Sequence, residues 1–166
     1  MSSRAGWFGL AAAVAALDRI SKAVVQAYVS PWETIPVIPG FFNVIHTQNR
    51  GAAFGILSEQ PAGWRIALLV GVSGAVTAAV AWLLWRATNA QAAESRLTRT
   101  ALSLVLGGAL GNLYDRVGSG VVTDFLDFYA GSHHWHTFNL ADSAITTGAL
   151  LLAFDLWFSH HREAKA

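Results

Sequence analysis

The stretch IALLVGVSGAVTAAVAWLLW, Ile66 to Trp85, is twenty residues without a charge. At 1.5 Å per residue a helix of that length crosses the hydrocarbon core of a bilayer. Working outward, Thr100–Tyr114 is a second uncharged run, which reaches spanning length when Leu97 and Val117 are included. Phe138–Ser159 is a third apolar stretch, interrupted by Asp142 near its start and Asp155 near its end. Trp7–Tyr28 is apolar in its first half and then holds Asp18, Arg19 and Lys22. The pattern predicts an all-α membrane protein with four transmembrane helices, about 7–28, 62–86, 97–117 and 138–159. Outer loops are expected at 29–61 and 118–137, all within one integral-membrane domain.

Composition agrees. The 166-residue chain is 54% apolar and only 13% charged, against about 25% charged in ordinary soluble domains. A net charge of +1 gives no sign of nucleic-acid binding. Absence of Cys excludes disulfides, thiolate zinc sites and a cysteine nucleophile. A cleaved signal peptide would also begin with a basic residue and an apolar run, as Arg4 and Ala5–Leu17 do, but three further spans follow and no clean cleavage region lies beyond Leu17.

Lys and Arg counting sets the orientation. Arg4, Arg86, Arg96, Arg99, Arg162 and Lys165 lie on one side, and Arg50, Arg65 and Arg116 on the other. The richer side is expected to be cytoplasmic, with both termini inside. Trp7, Trp82, Trp85 and Trp157 then mark inner helix ends, and Trp32, Trp64 and Trp135 outer ones.

All four prolines (Pro31, Pro36, Pro39, Pro61) fall in the first outer loop, which disfavours helix through its first half. Thr34–Ile38 and Phe41–Thr47 are rich in β-branched and aromatic residues around Pro39-Gly40, which predicts a small antiparallel pair. Gly51–Ser58 is expected to form a short apolar interfacial helix. No internal repeat is present, which counts against a transporter built from inverted repeats.

Charges inside spans are costly and mark function by default. Here they gather in the outer leaflet. Asp142 lies about 6 Å below Phe138 at the helical rise. Asp115 and Arg116 lie at the outer end of helix 3, Asp124 and Asp127 in the outer connection, and Asn112 and Asn139 at similar depth. Lys22 and Asp18 lie in helix 1, four apart, a natural ion pair. The bland reading of that pair is mutual neutralisation; Asp155 is expected simply to meet water at the inner end. Two carboxylates held together share one proton near neutral pH. The ionised one can draw a proton from water that attacks a carbonyl, while the protonated one hydrogen-bonds the developing oxyanion. Spacing alone does not say which two aspartates pair, and Asp115 is nearly as good a candidate as Asp124 and Asp142.

Rival chemistries are weaker. Gly71-Val72-Ser73-Gly74 resembles a serine-nucleophile turn, but no His lies within a span to act as base. Its small residues, like Gly107 and Gly111, are expected to form helix-packing surfaces. His133, His134 and His136 lack a metal-ligand pattern and are expected to be interfacial or solvated.

Five motifs together resemble lipoprotein signal peptidase (signal peptidase II). Gly111-Asn112 to Asp115-Arg116 resembles its GNxxDR motif, Val122 to Phe125 its VxDF segment, and Phe138-Asn139-Leu140-Ala141-Asp142-Ser143 its FNxADS motif. Asn49-Arg50-Gly51-Ala52-Ala53-Phe54 resembles NxGAAF, and Asp18 to Lys22 DxxxK. The resemblance implies a bacterial inner-membrane aspartyl endopeptidase, with its site toward the outer face and a small extracytoplasmic β-cradle. Its substrates would be diacylglyceryl-modified prolipoproteins, cut just before the lipidated Cys, and its inhibitors globomycin-type peptides. It implies Asp124 and Asp142 as the catalytic pair, with Asn49, Asn112, Asp115, Arg116, Asn139, Asp18 and Lys22 binding substrate or supporting the dyad. No metal or cofactor, no nucleic acid and a monomer in contact with membrane lipid are expected. Two departures stand out: Arg19 replaces a usual glutamine, and Thr123 a common valine. A small cation-coupled carrier or a non-catalytic assembly subunit using the same acids would lack this motif set.

Overall fold

The computed structural model describes residues 3–51, 61–89 and 94–163. Four long helices and a small sheet alternate along the chain. Helix α1 runs Arg4–Tyr28, α2 Ala62–Ala87, α3 Arg96–Gly118 and α4 Leu140–Glu163; strands β1 (Thr34–Ile38) and β2 (Phe42–Asn49) follow α1, and β3 (Val122–Ala130) and β4 (His133–His134) follow α3. Helix ends follow local chemistry. Ser3 caps α1, accepting from the Gly6 N–H at 3.3 Å, so the helix begins before the expected Trp7. Ser95 caps α3, accepting from the Thr98 N–H at 2.9 Å. Helix α4 begins at Leu140 rather than Phe138, because Phe138 pairs with Leu126 as an isolated bridge.

Helix α3 is the hub, packing on α1, α2 and α4. Glycines make this possible. A Cβ on Gly107 would lie 2.6 Å from the Ala11 carbonyl oxygen, and one on Gly108 2.4 Å from that of Ala141. A Cβ on Gly111 would lie 2.4 Å from the Asp18 carboxylate. The packing role expected of Gly107 and Gly111 is therefore present, whereas that expected of Gly71 and Gly74 is not: nothing lies within 4 Å of a Cβ at either.

The bundle has two different interiors. Toward one end the core is apolar, built from Ala11, Leu84, Ala87, Leu102 and Leu106. Toward the sheet it is polar, with Asp18, Lys22, Asn112, Asp115 and Asn139 all buried. The outside is apolar instead: Leu17, Ile20, Val24, Val72, Val76, Leu150, Phe154 and Leu156 are exposed, the inverse of a soluble bundle. Helix α2, at mean hydropathy 2.1, and the Leu140–Phe158 part of α4, at 1.3, are long and apolar enough to cross a membrane. Helices α1 and α3 do not meet that measure, a difference from the four spans expected. Both carry several charges, and in α1 the pair Asp18 and Lys22 is wholly buried.

The sheet is antiparallel in the order β1-β2-β3-β4. The pair around Pro39-Gly40 forms as expected, with Gly40 at φ 81°. The connection 118–137, expected as a loop, is instead β3 and β4. Strand β3 pairs with β2 from Phe42↔Phe128 to Asn49↔Val122, with an irregularity between Val44 and Thr47. Asp124 accordingly sits on a strand. Asp155 also departs from expectation: it accepts hydrogen bonds from Ser95 Oγ at 2.6 Å and from Thr98 Oγ1, tying α4 to the start of α3. Most of the expected short helix at Gly51–Ser58 lies outside the described residues.

Candidate active site

The FNLAD stretch, Phe138–Asp142, starts α4 with a reciprocal cap. The Asp142 N–H donates to Asn139 Oδ1 at 3.0 Å, and the Asn139 N–H donates to Asp142 Oδ2 at 3.3 Å. This is a capping box with Asp as its acid. It places the Asp142 carboxylate at a helix N-terminus, where partial positive charge favours an anion.

Asn139 also reaches the second carboxylate. Its Nδ2 donates to Asp124 Oδ1 at 2.7 Å and to Asn112 Oδ1 at 3.3 Å. Asp124 is 2% exposed. Thr47 Oγ1 holds its carbonyl at 3.1 Å, and the Asn49 side chain also hydrogen-bonds its carboxylate. Burial, and then the charge of Asp142, push the Asp124 carboxyl up to about 6, against the opposing hydrogen bonds from Asn139 and Asn49.

Behind this pair lies a charged layer that fixes the amides. Lys22 Nζ donates to Asp18 Oδ2 at 2.7 Å and to Asn112 Oδ1 at 3.0 Å, and forms an ion pair with Asp115 Oδ2 at 2.8 Å. An ammonium only donates, so it must face the oxygen of Asn112. The Asn112 nitrogen then faces Asp142 and donates to Oδ1 at 2.8 Å. Asp18 spends its other oxygen on the Ala141 N–H at 2.9 Å, another bond to the first turn of α4. The Lys22 ammonium thus fixes the orientation of Asn112, and through it the bond to Asp142.

A cavity of about 750 Å³ opens onto the pair. Asp124, Asp142, Asn49, Asn112 and Arg116 line its polar end; Val72 and Val76 of α2, Ala109 of α3 and Ile145 of α4 line an apolar wall. Trp135, His136, Thr137 and Phe138 form its outer edge. Among the described residues the Arg116 guanidinium makes long bonds, 3.5 Å to the Asn112 carbonyl and 3.4 Å to that of Gly51.

Of the residues singled out from sequence, Asn49, Asn112, Arg116, Asp124 and Asp142 therefore meet at the cavity. Asn139 lies directly behind them, fully buried. Asp18, Lys22 and Asp115 form the supporting layer and are absent from the cavity lining. Asp115 is held by Lys22 and Arg19, so the alternative that it joins a carboxylate pair gives way to its reading as an ion-paired strut. Asp127, three residues from Asp124 on β3, projects from the opposite face. Among the described residues no group of His, Asp and Glu is arranged to hold a metal. Both departures make contacts across elements: Arg19 of α1 also lies over the Tyr114 ring of α3, 4.5 Å from its centroid, and Thr123 Oγ1 of β3 accepts from Gln26 Nε2 of α1 at 2.7 Å. Sequence reasoning missed Thr47 and the backbone N–H of Ala141; both act through contacts distant in sequence.

Residues 10–158 match the family model described as signal peptidase (SPase) II. A lipoprotein signal peptidase of Solibacter usitatus is 50% identical over 149 residues, covering 90% of this chain and 88% of its own. One from Yersinia pseudotuberculosis is 43% identical over 153 residues, covering 92% and 87%. Among solved structures, a bacterial membrane enzyme determined in meso at 2.3 Å superposes with a TM-score of 0.76 at 29% identity, over 93% of this chain and 88% of that one. A second, at 1.9 Å, gives 0.74 at 29% identity over 90% and 91%. With a fold, a buried pair of carboxylates and relatives that all agree, the chain belongs to the signal peptidase II family.

Proposed function

We propose that this chain removes the signal peptide from diacylglyceryl-modified prolipoproteins by aspartic catalysis, with Asp124 and Asp142 as the water-activating pair. The observation that carries the assignment is Asn139: one amide, fixed by its own helix cap, bonds Asp124 while its backbone holds Asp142. Asp124, whose carboxyl burial raises, holds the proton in the singly protonated, active form of the pair. Asp142, at the α4 N-terminus, carries the negative charge. Water between them loses a proton to Asp142 as its oxygen attacks the scissile carbonyl. Asp124 donates its hydrogen to the carbonyl oxygen, which becomes the gem-diol hydroxyl. Collapse of that intermediate transfers a proton to the leaving nitrogen, cleaves the C–N bond and restores the pair. No covalent enzyme intermediate forms.

The apolar wall from Val72, Val76, Ala109 and Ile145 suits a substrate arriving from lipid. Arg116, which lines the cavity and whose bonds among the described residues are long, receives a substrate carbonyl in this reading, and Asn49 borders the scissile segment. All four helices cross the bacterial inner membrane in this reading, with both termini cytoplasmic and the sheet outside. The charges of α1 and α3 do not oppose that, because Asp18, Lys22 and Asp115 neutralise one another inside the bundle with Arg19. All groups of the site come from one chain, so a monomer suffices. The experiment is incubation of purified protein with a prolipoprotein in lipid-modified and unmodified forms, with products read by mass spectrometry. Cleavage immediately before the lipidated Cys is expected; no cleavage of the modified form, or a cut elsewhere, overturns the reading.

A further inference from the structure

One charged cluster outside the site has no part in the chemistry above. Asp127 is 4% exposed on β3. Asn43 Nδ2 of β2 donates to its Oδ2 at 2.8 Å, and His134 Nδ1 lies 2.9 Å from its Oδ1. The His134 ring stacks on Tyr129, centroids 4.9 Å apart, so this histidine, expected to be interfacial or solvated, is half-exposed and held.

The position of this cluster gives it a use. Strand β4 is only His133 and His134, too short to be secured by its ladder alone. Immediately after it come Trp135, His136, Thr137 and Phe138, the outer edge of the cavity. Backbone bonds pin that edge mainly at its far end: Phe138 N–H donates to the Leu126 carbonyl at 3.2 Å and the Phe138 carbonyl accepts from the Phe125 and Leu126 N–H groups at 3.0 and 2.8 Å, whereas the β4 end has Trp135 N–H to the Phe128 carbonyl at 2.7 Å. The His134 side chain adds a side-chain tie at the β4 end, onto the buried Asp127 carboxylate. Releasing it removes the one side-chain bond described between β4 and that carboxylate and lets β4 move.

We propose that His134 and Asp127 are positioning residues: their bond fixes the 135–138 edge of the cavity and so sets how tightly substrate is held, without touching the reacting atoms. The kinetic part rests on the peptidase reading; the structural part does not.

The test compares three variants. In Asn the amide nitrogen falls where Nδ1 of His lies, so His134→Asn keeps the donor. In Gln the nitrogen falls nearer the Nε2 position, so His134→Gln loses it, as does His134→Ala. For Ala and Gln, KM for a lipid-modified prolipoprotein should rise about fivefold, the equivalent of one lost hydrogen bond, with kcat within twofold. Hydrogen exchange of the peptide covering 131–138 should accelerate in the same two variants, and Asn should restore both readouts. Wild-type KM or unaltered exchange in His134→Ala overturns the proposal, as does an Asn variant as impaired as Ala. If the wild-type protein fails to cleave, the peptidase reading fails, and the exchange measurement alone still decides the structural part.

Discussion

Gly108 gives the sharpest test of how helix packing controls the site. A Cβ there would lie 2.4 Å from the Ala141 carbonyl oxygen and 2.8 Å from Ile145 Cγ1, whereas ordinary contact begins at 3.4 Å. The shortfall against backbone is about 1 Å (3.4 − 2.4). Ala141 precedes Asp142, and its N–H is already tied to Asp18, so Gly108→Ala must push the first turn of α4 away from α3. The Asn112 to Asp142 bond, now 2.8 Å, would stretch by a similar amount and be lost. Overpacking of this kind costs about 1–3 kcal/mol of stability, and a 1 Å displacement of a catalytic group costs roughly 10²-fold in rate. The assay is single-turnover cleavage of lipid-modified prolipoprotein beside thermal unfolding in the same detergent. Gly71→Ala is the control: nothing lies within 4 Å of its Cβ, and replacing a helical Gly gains about 1 kcal/mol of propensity. A Gly108→Ala enzyme within threefold of wild type, or a Gly71→Ala enzyme equally impaired, would refute the reasoning.

Other outcomes follow from the same geometry. Lys22→Met removes the donor shared by two buried carboxylates and should cost about 3–5 kcal/mol, read as a large fall in Tm; a Tm near wild type contradicts this. Folded Asp124 holds its proton until about 6, while the unfolded chain releases it at the ordinary carboxylate value. Stability should therefore fall as pH rises from about 4 to about 6, by roughly 3 kcal/mol at 1.36 kcal/mol per unit. In Asp124→Asn that loss should vanish, so parallel Tm–pH curves for the two proteins would count against a raised Asp124. Asp155→Asn disturbs the tie between α4 and the α3 cap, far from the cavity lining, and should leave kcat unchanged while lowering Tm slightly.

The sequence revealed the helices because an uncharged run of twenty residues has few other uses, and β1–β2 because Pro39-Gly40 sits between two β-rich stretches. Strand β3 was hidden for a physical reason. Val122–Phe125 are buried on both faces, so the alternation that marks a half-buried strand is missing, and its partner Asn49 lies far away in the chain. Gly120 and Gly131, both at positive φ, bracket it and were the available signal. In the site, spacing located the outward gathering of acids but could not pair them. Asp115 stood as close in prospect as Asp124 until the positions of Arg19 and Lys22 were known, and Asp127 was excluded only by strand parity. The capping box was legible as Asn139-x-x-Asp142; its second use, carrying an amide to Asp124, was not, because that contact depends on β3.

The central claim is that Asp124 and Asp142 together activate the attacking water. The most direct measurement is the cleavage rate of a diacylglyceryl-modified prolipoprotein by Asp124→Asn and Asp142→Asn proteins, each shown to be folded by its thermal transition. Each substitution should lower kcat by about 10²–10⁴-fold, and the double variant should be little worse than either single one, since the two act as a unit. Near-normal turnover by either single variant would contradict the account.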